Sequence, residues 1–237
     1  MIKKITIASR ESPLAMWQAE HIKTQLNNLY PYLSIYIKGF KTQGDIILDQ
    51  SLATIGGKGL FIKELEQALL KKEADLAVHS MKDLPMDIYE DFQLSAITAR
   101  EDPRDAFISL KYKSLDDMPD GAIVGTSSLR RQSQIKAKYP SLIIEPLRGN
   151  LQTRLSKLKN GQYGAIILAA AGLIRLDLQD QITMYIDKNV SIPAVVQGAL
   201  GIEILSSNTE LDLLLKPLND DDTSRCVLAE RMVSRSL

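Results

Sequence analysis

The sequence predicts two α/β domains, each built on a sheet whose strands alternate with helices. Its 237 residues exceed the length of a typical single domain. Hydrophobic residues make up 45% of the chain, enough to bury a core. Short apolar runs alternate with helical patterns along the chain, which is typical of parallel sheets with helical crossovers.

The first ninety residues contain a clear alternation. Residues 2–8 alternate and are rich in isoleucine, so they predict a strand. A Ser-Pro pair at 12–13 starts a helix, and Pro31 marks its end. We also predict a strand at 34–40, a helix at 60–72 and a buried strand at 74–78. The segment 41–58 is long and mixed, which is typical of a functional or mobile loop.

The alternation continues in the rest of the chain. We predict strands at 94–98, 107–110, 122–125, 142–144, 165–168, 182–186 and 198–204, and helices at 129–138, 151–159 and 223–237. A change in composition near 98–104 marks a domain boundary, and the strand at 198–204 could return to the first domain. Ligands of such folds bind beyond the carboxyl ends of strands, so the loops there are candidate sites.

Composition excludes several classes of protein. The 29 basic residues equal the 29 acidic residues, so we expect neither a nucleic-acid binder nor a membrane-surface binder. No apolar run approaches the ~20 residues that span a bilayer. The N-terminus lacks the features of a signal peptide, and we expect the protein in the cytoplasm. A single cysteine excludes an intrachain disulfide and a cysteine-based metal cluster.

Arginine is concentrated in the middle of the chain. The guanidinium fork suits bidentate binding of carboxylate or phosphate. A polyanionic small ligand is therefore plausible, although scattered surface arginines explain the pattern equally well. Residues 100–175 contain Arg100, Arg104, Arg130, Arg131, Arg148, Arg154 and Arg175.

The loop at 9–13 is the first candidate site. It lies between a predicted strand and a helix start, where backbone N–H groups and the helix dipole favour an anion. Arg10 could clamp a carboxylate there, and Ser12 could hydrogen-bond to it. A capping serine beside a surface arginine would give the same sequence.

The segment 74–85 is the strongest local signal. An apolar strand ends in His79, Ser80, Lys82 and Asp83. Because a neighbouring cation favours the carboxylate, Asp83 can stay ionised beside Lys82. Such a carboxylate could stabilise a cationic intermediate and transfer protons. His79 is as plausible in a structural role as in catalysis.

Two basic turns follow in the predicted second domain. Segment 125–132 joins a strand to a helix and holds Thr126, Ser127, Ser128, Arg130 and Arg131. Paired arginines at a helix start oppose the helix dipole, which indicates a functional choice. Segment 147–154 repeats the arrangement, with Arg148 and Arg154 on either side of a turn. Two such turns in succession predict an anion site.

Two further features have weaker interpretations. Segment 56–61 has three glycines around Lys58 but lacks the spacing of a P-loop. We interpret it as a flap from which Lys58 reaches an anion, and an ordinary flexible loop is equally plausible. Cys226 lies in a predicted helix, where a lone cysteine is usually a packing residue.

The chain resembles the porphobilinogen deaminase family. The motifs, in the family's order and covering essentially the whole chain, are SRESPLAMWQA, GGKGLF, AVHSMKDLP, REDPRDAF, GTSSLRRQ, LRGNLQTRLSKL, AIILAAAGL and QGALGIE. The resemblance implies two doubly wound domains of the type II periplasmic-binding-protein kind with a cleft between them, plus the first helix of a truncated third domain. The expected domains are 1–98 with 198–216, then 99–197, then the remnant 217–237.

The resemblance implies a transferase of tetrapyrrole, and hence haem and porphyrin, biosynthesis. Its members join four porphobilinogen molecules head to tail into hydroxymethylbilane and release ammonia. The growing chain is held on a dipyrromethane cofactor, which a thioether attaches to a cysteine of the third domain. We expect a monomer whose partner is the small molecule porphobilinogen, and no metal.

The resemblance also implies roles for single residues. Asp83 would be catalytic, contacting pyrrole N–H groups and stabilising the cation left when ammonia departs. Gln197 would lie at a hinge. Substrate and growing chain would be bound by Arg10, Ser12, Arg148, Arg154 and Arg175, with Lys58 and Phe61 in a mobile loop. The cofactor carboxylates would be held by Lys82, Thr126, Ser127, Ser128, Arg130 and Arg131.

The sequence departs from the family at two places. Val196 stands where the family usually has glycine, and a β-branched residue restricts the backbone there. The cofactor cysteine would lie beyond Leu237, and Cys226 does not replace it, so we expect this chain alone to form little bilane. Two alternatives stay open: a non-catalytic two-domain module for a polycarboxylate, and an inactive truncated fragment.

Overall fold

The structure is a computed structural model that describes residues 2–46 and 59–236. The chain divides into two compact units, which are described separately. Unit 1 comprises Met1–Glu101 and Gly198–Leu237, and unit 2 comprises Asp102–Gln197. Each unit contains one five-stranded sheet with helices, so the predicted fold class is confirmed.

The described chain contains ten strands and eight α-helices. The strands are β1 (Lys4–Arg10), β2 (Ser34–Phe40), β3 (Leu76–Ser80), β4 (Phe92–Ile97), β5 (Asp105–Ile108), β6 (Ile123–Gly125), β7 (Ile143–Glu145), β8 (Ala165–Ala169), β9 (Met184–Tyr185) and β10 (Leu200–Leu205). The helices are α1 (Pro13–Leu29), α2 (Gln43–Ile46), α3 (Lys63–Leu70), α4 (Leu129–Lys138), α5 (Leu151–Lys159), α6 (Ala170–Ile174), α7 (Thr209–Leu215) and α8 (Asp221–Ser236). Short 3-10 turns occupy Met81–Asp83, Gln179–Gln181 and Lys216–Leu218.

Unit 1 is organised around a sheet in the order β2-β1-β3-β10-β4. Strand β1 pairs in parallel with β2 and β3. Its side chains Ile5 and Ile7 are fully buried against Ile22 and Leu26 of α1 and Ile202 of β10. Burial of these apolar side chains explains why the strand's sequence is rich in isoleucine.

Unit 2 is organised around a sheet in the order β7-β6-β8-β5-β9. Strand β6 pairs in parallel with β7 and β8. Phe107 of β5 and Val124 of β6 are fully buried in its core. Parallel pairing brings the carboxyl ends of β6, β7 and β8 to one edge of the sheet, where the two basic turns begin.

The prediction of parallel sheets is wrong for β5 and β10. Strand β10 runs antiparallel to β3 and β4, and β5 runs antiparallel to β8 and β9. Each is the first strand after the chain passes from one unit to the other. No crossover helix therefore connects either strand to a sequential neighbour in its sheet, and the constraint that enforces parallel pairing is absent.

The remaining predicted elements are confirmed, with shifts at their ends. Helices α2, α6 and α7 were not predicted because each spans only a few residues, too few for a helical pattern. Helix α2 lies in the segment that the sequence indicates as a loop. Helix α7 is capped by Asn208, whose side chain accepts a hydrogen bond from Leu211 N at 3.2 Å.

Helix α8 packs within unit 1. The buried Arg231 guanidinium donates to Pro85 O and Met86 O, both at 2.7 Å. The assignment of 217–237 to a third domain stays a prediction. The interpretation of Cys226 as a packing residue is wrong: it is exposed on α8, as is Met232. Across residues 2–46 and 59–236, every helix is too short or too polar to cross a membrane.

Candidate functional site

A small pocket lies beyond the carboxyl ends of β1 and β3 in unit 1. We call it the Arg10 pocket. Its polar lining comes from Arg10 and Ser12 after β1, Gln18 of α1, and His79, Ser80 and Asp83 at and beyond the end of β3, with Phe61 as its aromatic member. The structure thus brings together four of the predicted site residues: Arg10, Ser12, Phe61 and Asp83.

The guanidinium group of Arg10 has two protein partners, Asp45 at one edge and Phe61 at one face. Its Nε donates to Asp45 Oδ2 at 3.2 Å, and its Nη2 donates to Asp45 Oδ1. Its guanidinium carbon lies 4.2 Å from the centre of the Phe61 ring, a cation–π contact. Ser12 caps α1 by accepting a hydrogen bond from Ala15 N at 3.3 Å. This cap leaves the hydroxyl hydrogen of Ser12 able to donate.

Asp83 ends the 3-10 turn that follows β3. The turn is anchored by Met81, whose side chain is fully buried and whose N donates to Ala199 O at 3.0 Å. Lys82 and Asp83 are both exposed. Within the described ranges, no hydrogen bond reaches the Asp83 carboxylate. The carboxylate is therefore available to a ligand in the Arg10 pocket.

His79, which lines the pocket, forms a buried pair with Glu203. His79 Nε2 is 2.9 Å from Glu203 Oε2, and both side chains are buried. Burial raises the pKa of the nearby Glu66 carboxyl, the negative charge of Glu203 raises it further, and His79 partly offsets the rise. Because the His79 ring forms a hydrogen bond with the buried Glu203 carboxyl group, the structure favours a structural role for this histidine.

The 125–132 turn of unit 2 uses its hydroxyl groups to shape the backbone. Ser128 caps α4 by accepting from Arg131 N at 3.4 Å, and Thr126 Oγ1 accepts from Ser128 N at 3.2 Å. Ser127 Oγ donates to Leu147 O and accepts from Leu147 N, both at 3.0 Å. Ser127 thereby joins the two basic turns that the sequence predicts.

Arg131 faces the interior of unit 2. Its Nε and Nη2 donate to Asp105 Oδ1 at 3.0 and 2.8 Å, and its Nη1 donates to Ile167 O at 3.0 Å. Burial alone would raise the pKa of Asp105, but the charges of Arg131 and Arg130 outweigh it, and the pKa lies below its ordinary value. The pair is therefore ionised at neutral pH.

Arg130 and Gln197 bind the same carboxylate. Arg130 Nη2 donates to Asp105 Oδ2 at 2.8 Å, and Gln197 Nε2 donates to Asp105 Oδ1 at 3.0 Å and to Pro103 O at 2.6 Å. Arg130 is partly exposed, and its buried Nε has no hydrogen-bond partner among the described residues. Asp105 is thus the common partner of both arginines and of the predicted hinge residue.

The other predicted site residues are distributed as follows. Arg148 and Arg154 are half-buried at the 147–154 turn, where Arg154 Nε donates to Gly149 O at 2.8 Å. Gly149 has a φ of 110°, a conformation that requires glycine. Arg175 is buried after α6. Lys58 lies outside the described residues.

Sequence reasoning missed Asp45 and Asp105. Asp45 lies in a segment without periodicity, and the only available signal was a short helix start. Asp105 is the last aspartate of the REDPRDAF motif, and the sequence-based prediction assigned it no role. A buried strand that begins with an acid indicates an internal ion pair, and this signal was present.

Three comparisons relate the chain to known proteins. The family model "Porphobilinogen deaminase, dipyromethane cofactor binding domain" matches residues 5–212. A porphobilinogen deaminase of Laribacter hongkongensis is 61% identical over 236 residues, which cover 100% of this chain and 77% of the relative. One of Neisseria meningitidis is 59% identical over 235 residues, covering 99% of this chain and 76% of the relative.

Solved structures support the fold. The methionine-binding protein MetQ is similar with a TM-score of 0.56 and 15% identity, covering 97% of this chain and 95% of that protein. The periplasmic aliphatic sulphonate-binding protein SsuA from Escherichia coli is similar with a TM-score of 0.52 and 13% identity, covering 100% of this chain and 75% of that protein. At this identity the similarity concerns the type II periplasmic-binding-protein fold alone.

Proposed function

The chain belongs to the porphobilinogen deaminase family, and from that premise we propose how its own residues serve the reaction. The function is the joining of four porphobilinogen molecules into hydroxymethylbilane with release of ammonia, a transferase reaction of porphyrin biosynthesis. The observation that carries our proposal is the exposed Asp83 carboxylate in a pocket that also contains Arg10.

Arg10 binds a substrate carboxylate. Porphobilinogen carries acetate and propionate groups, and a guanidinium fork binds a carboxylate through two parallel hydrogen bonds. Phe61 supports this role because its ring covers one face of the guanidinium and holds the fork in one orientation. Ser12 adds a hydroxyl donor at the helix start, where the dipole of α1 also favours negative charge.

Asp83 acts on the nitrogen side of the substrate. Its carboxylate accepts hydrogen bonds from pyrrole N–H groups and stabilises the positive charge that develops when ammonia departs. After the new carbon–carbon bond has formed, the same carboxylate accepts the proton that the pyrrole carbon loses.

The donor groups of the chain fit dipyrromethane, the cofactor named in the family's domain. When bound, this group holds the growing pyrrole chain. In unit 1, Lys82 offers an exposed ammonium. In unit 2, Arg130 offers a buried Nε that lacks a partner among the described residues, and Ser128 offers its hydroxyl hydrogen. Such donors suit carboxylates.

The other predicted cofactor residues act mainly through these groups. Arg131 holds Asp105, which in turn orients Arg130. Ser127 and Thr126 keep the 125–132 turn in shape through their backbone contacts. Arg148, Arg154 and Arg175 remain proposed sites for the growing chain, and Gln197 a proposed hinge residue.

We further propose a cytoplasmic monomer that binds no nucleic acid. The equal numbers of basic and acidic residues support the absence of nucleic-acid binding. Light scattering at micromolar concentration tests the oligomeric state and should give the mass of one chain.

Product analysis tests the proposed function. A version of the protein that carries the family's cofactor cysteine, loaded with dipyrromethane, is given porphobilinogen, and ammonia and hydroxymethylbilane are measured together. We expect both products, with ammonia released in proportion to the porphobilinogen consumed. A binding module without catalysis would retain porphobilinogen unchanged and release no ammonia, and that result would overturn the proposal.

A further inference from the structure

Arg10, which lines the Arg10 pocket, already has a carboxylate of the protein as its partner. Both oxygens of Asp45 accept hydrogen bonds from Arg10, from Nε at 3.2 Å to Oδ2 and from Nη2 to Oδ1. This is the fork geometry in which arginine binds the carboxylate of a ligand. While Asp45 holds this position, no second carboxylate can bind the same edge of the guanidinium.

Asp45 is held in place independently of Arg10. Thr42 Oγ1 donates to Asp45 Oδ2 at 2.7 Å, and Thr42 N donates to the same oxygen at 3.3 Å. These contacts and Arg10 lower the pKa of Asp45 against the opposing effect of burial. The carboxylate is therefore ionised while it is paired with Arg10, and the two Thr42 contacts do not depend on Arg10.

Helix α2, which carries Asp45, contacts the residues at 60–64. Gly44 N donates to Leu60 O at 2.9 Å, and Gln43 N donates to Glu64 Oε1 at 3.0 Å. A Cβ atom on Gly44 would lie 2.1 Å from the Phe61 ring, so glycine permits this packing. The ring that supports Arg10 thus also supports the helix that carries Asp45.

We propose that Asp45 is a specificity-determining residue that selects a ligand carrying both a carboxylate and a nitrogen donor. The ligand carboxylate takes the Arg10 fork, and Asp45, released from Arg10, accepts a hydrogen bond from the ligand's ammonium or pyrrole N–H. The Arg10–Asp45 ion pair is thus replaced by two contacts with the ligand, one from each of these residues. This inference rests on the proposed role of Arg10 in binding substrate.

The exchange favours porphobilinogen over simple dicarboxylates. Porphobilinogen has carboxylates, a pyrrole N–H and the amine that leaves as ammonia, so it satisfies Arg10 and Asp45 together. A dicarboxylate such as succinate satisfies Arg10 but leaves the Asp45 charge without a partner beside a second negative charge. Unpaired and like charges of this kind are a common means of rejecting wrong ligands.

Calorimetric titration of two probes into Asp45→Asn tests the proposal. Asparagine has nearly the same shape and can still accept from Thr42. We expect succinate to bind about fivefold more tightly to the variant, because the Asp45 carboxylate no longer competes for Arg10. We expect porphobilinogen to bind no more tightly, so that discrimination between the two probes falls at least about fivefold.

Glu11→Gln is the matched control. Glu11 is exposed and adjacent to Arg10 in sequence, and none of its hydrogen bonds among residues 2–46 and 59–236 reaches Arg10. This control removes the same charge, so both probes should shift together if general electrostatics alone matter. Should Asp45→Asn not fold, Asp45→Ser keeps an acceptor for Thr42, and we expect the same pattern.

The outcomes separate this inference from the proposed function. A loss of discrimination in the Asp45 variant, absent from the Glu11 control, supports the inference. Equal changes for both probes, or no change, overturn it even if porphobilinogen binding depends on Arg10. If Arg10→Gln binds porphobilinogen as tightly as the unchanged protein, the proposed role of Arg10 fails, and the inference fails with it.

Discussion

Arg131 donates two hydrogen bonds to a single oxygen of Asp105, from Nε at 3.0 Å and from Nη2 at 2.8 Å. Both side chains are buried in unit 2. An arginine inside a protein needs a charged partner, because desolvating it without one is costly. Asp105 therefore serves the fold of unit 2 as well as the orientation of Arg130.

We expect Asp105→Asn to lower the free energy of unfolding by about 3–5 kcal/mol, because it leaves the Arg131 charge buried without a counter-charge. Urea unfolding followed by circular dichroism measures this loss. Asp222→Asn removes one partner of an exposed ion pair with Arg225 and should leave stability almost unchanged. Equal effects of the two substitutions would contradict the structural role of Asp105.

Replacing Glu66 should raise the free energy of unfolding, whereas replacing Asp105 should lower it. Burial and Glu203 raise its pKa above the ordinary value of 4.5. A carboxyl whose pKa is raised by folding favours the folded state when it is protonated. Its contribution to stability is complete below its ordinary pKa and is lost as pH rises through the raised pKa of the folded state. We expect Glu66→Gln to be more stable than the unchanged protein at about pH 8, and the gain to disappear at about pH 4.

Urea unfolding at both pH values measures the effect of Glu66→Gln. A gain of equal size at both values would show that packing rather than charge is responsible. A loss of stability at the higher pH would show that the ionised carboxylate is favourable in its place.

Val196 adopts a backbone conformation that suits glycine. Its φ is 57° and its side chain is fully buried. A β-branched residue in the left-handed region is strained. Val196→Gly and Val196→Ala both remove the branched side chain, so comparing them isolates the backbone. We expect the glycine variant to be more stable than the alanine variant by about 1 kcal/mol in thermal unfolding.

At an ordinary position the order of these two variants is reversed, because glycine is the more flexible residue when unfolded. An alanine variant that is the more stable of the two would therefore contradict the left-handed conformation of Val196.

Local signals predicted much of the fold and part of the site. The start of α1 follows from Ser12, which caps the helix as the sequence indicates, and the starts of α4 and α5 at 129 and 151 are those that the sequence predicts. The partner of Arg131 did not follow, because Asp105 lies 26 positions away. The hydrogen bond of Gln197 to the same carboxylate spans 92 positions. Such pairings depend on strand order, and β5 runs in the direction that the sequence did not predict.

Arg10 illustrates the same limit within one unit. Its place after β1 and before α1 predicted an anion site, and the pocket lies there. The pairing of Arg10 with Asp45 was not predictable, since the two residues are 35 positions apart and α2 is too short to show a helical pattern.

Asp83→Asn, made in a version that carries the family's cofactor cysteine and is loaded with dipyrromethane, is the most direct test of catalysis at the Arg10 pocket. Asparagine keeps the size of the side chain but removes the charge and the proton acceptor. We expect kcat for ammonia release to fall at least about 100-fold, while the Kd for porphobilinogen changes by less than about threefold. Asp87→Asn, at another exposed acid beyond the turn, should leave both values nearly unchanged. A near-normal kcat, or a loss of binding as large as the loss of rate, would contradict a catalytic role for Asp83.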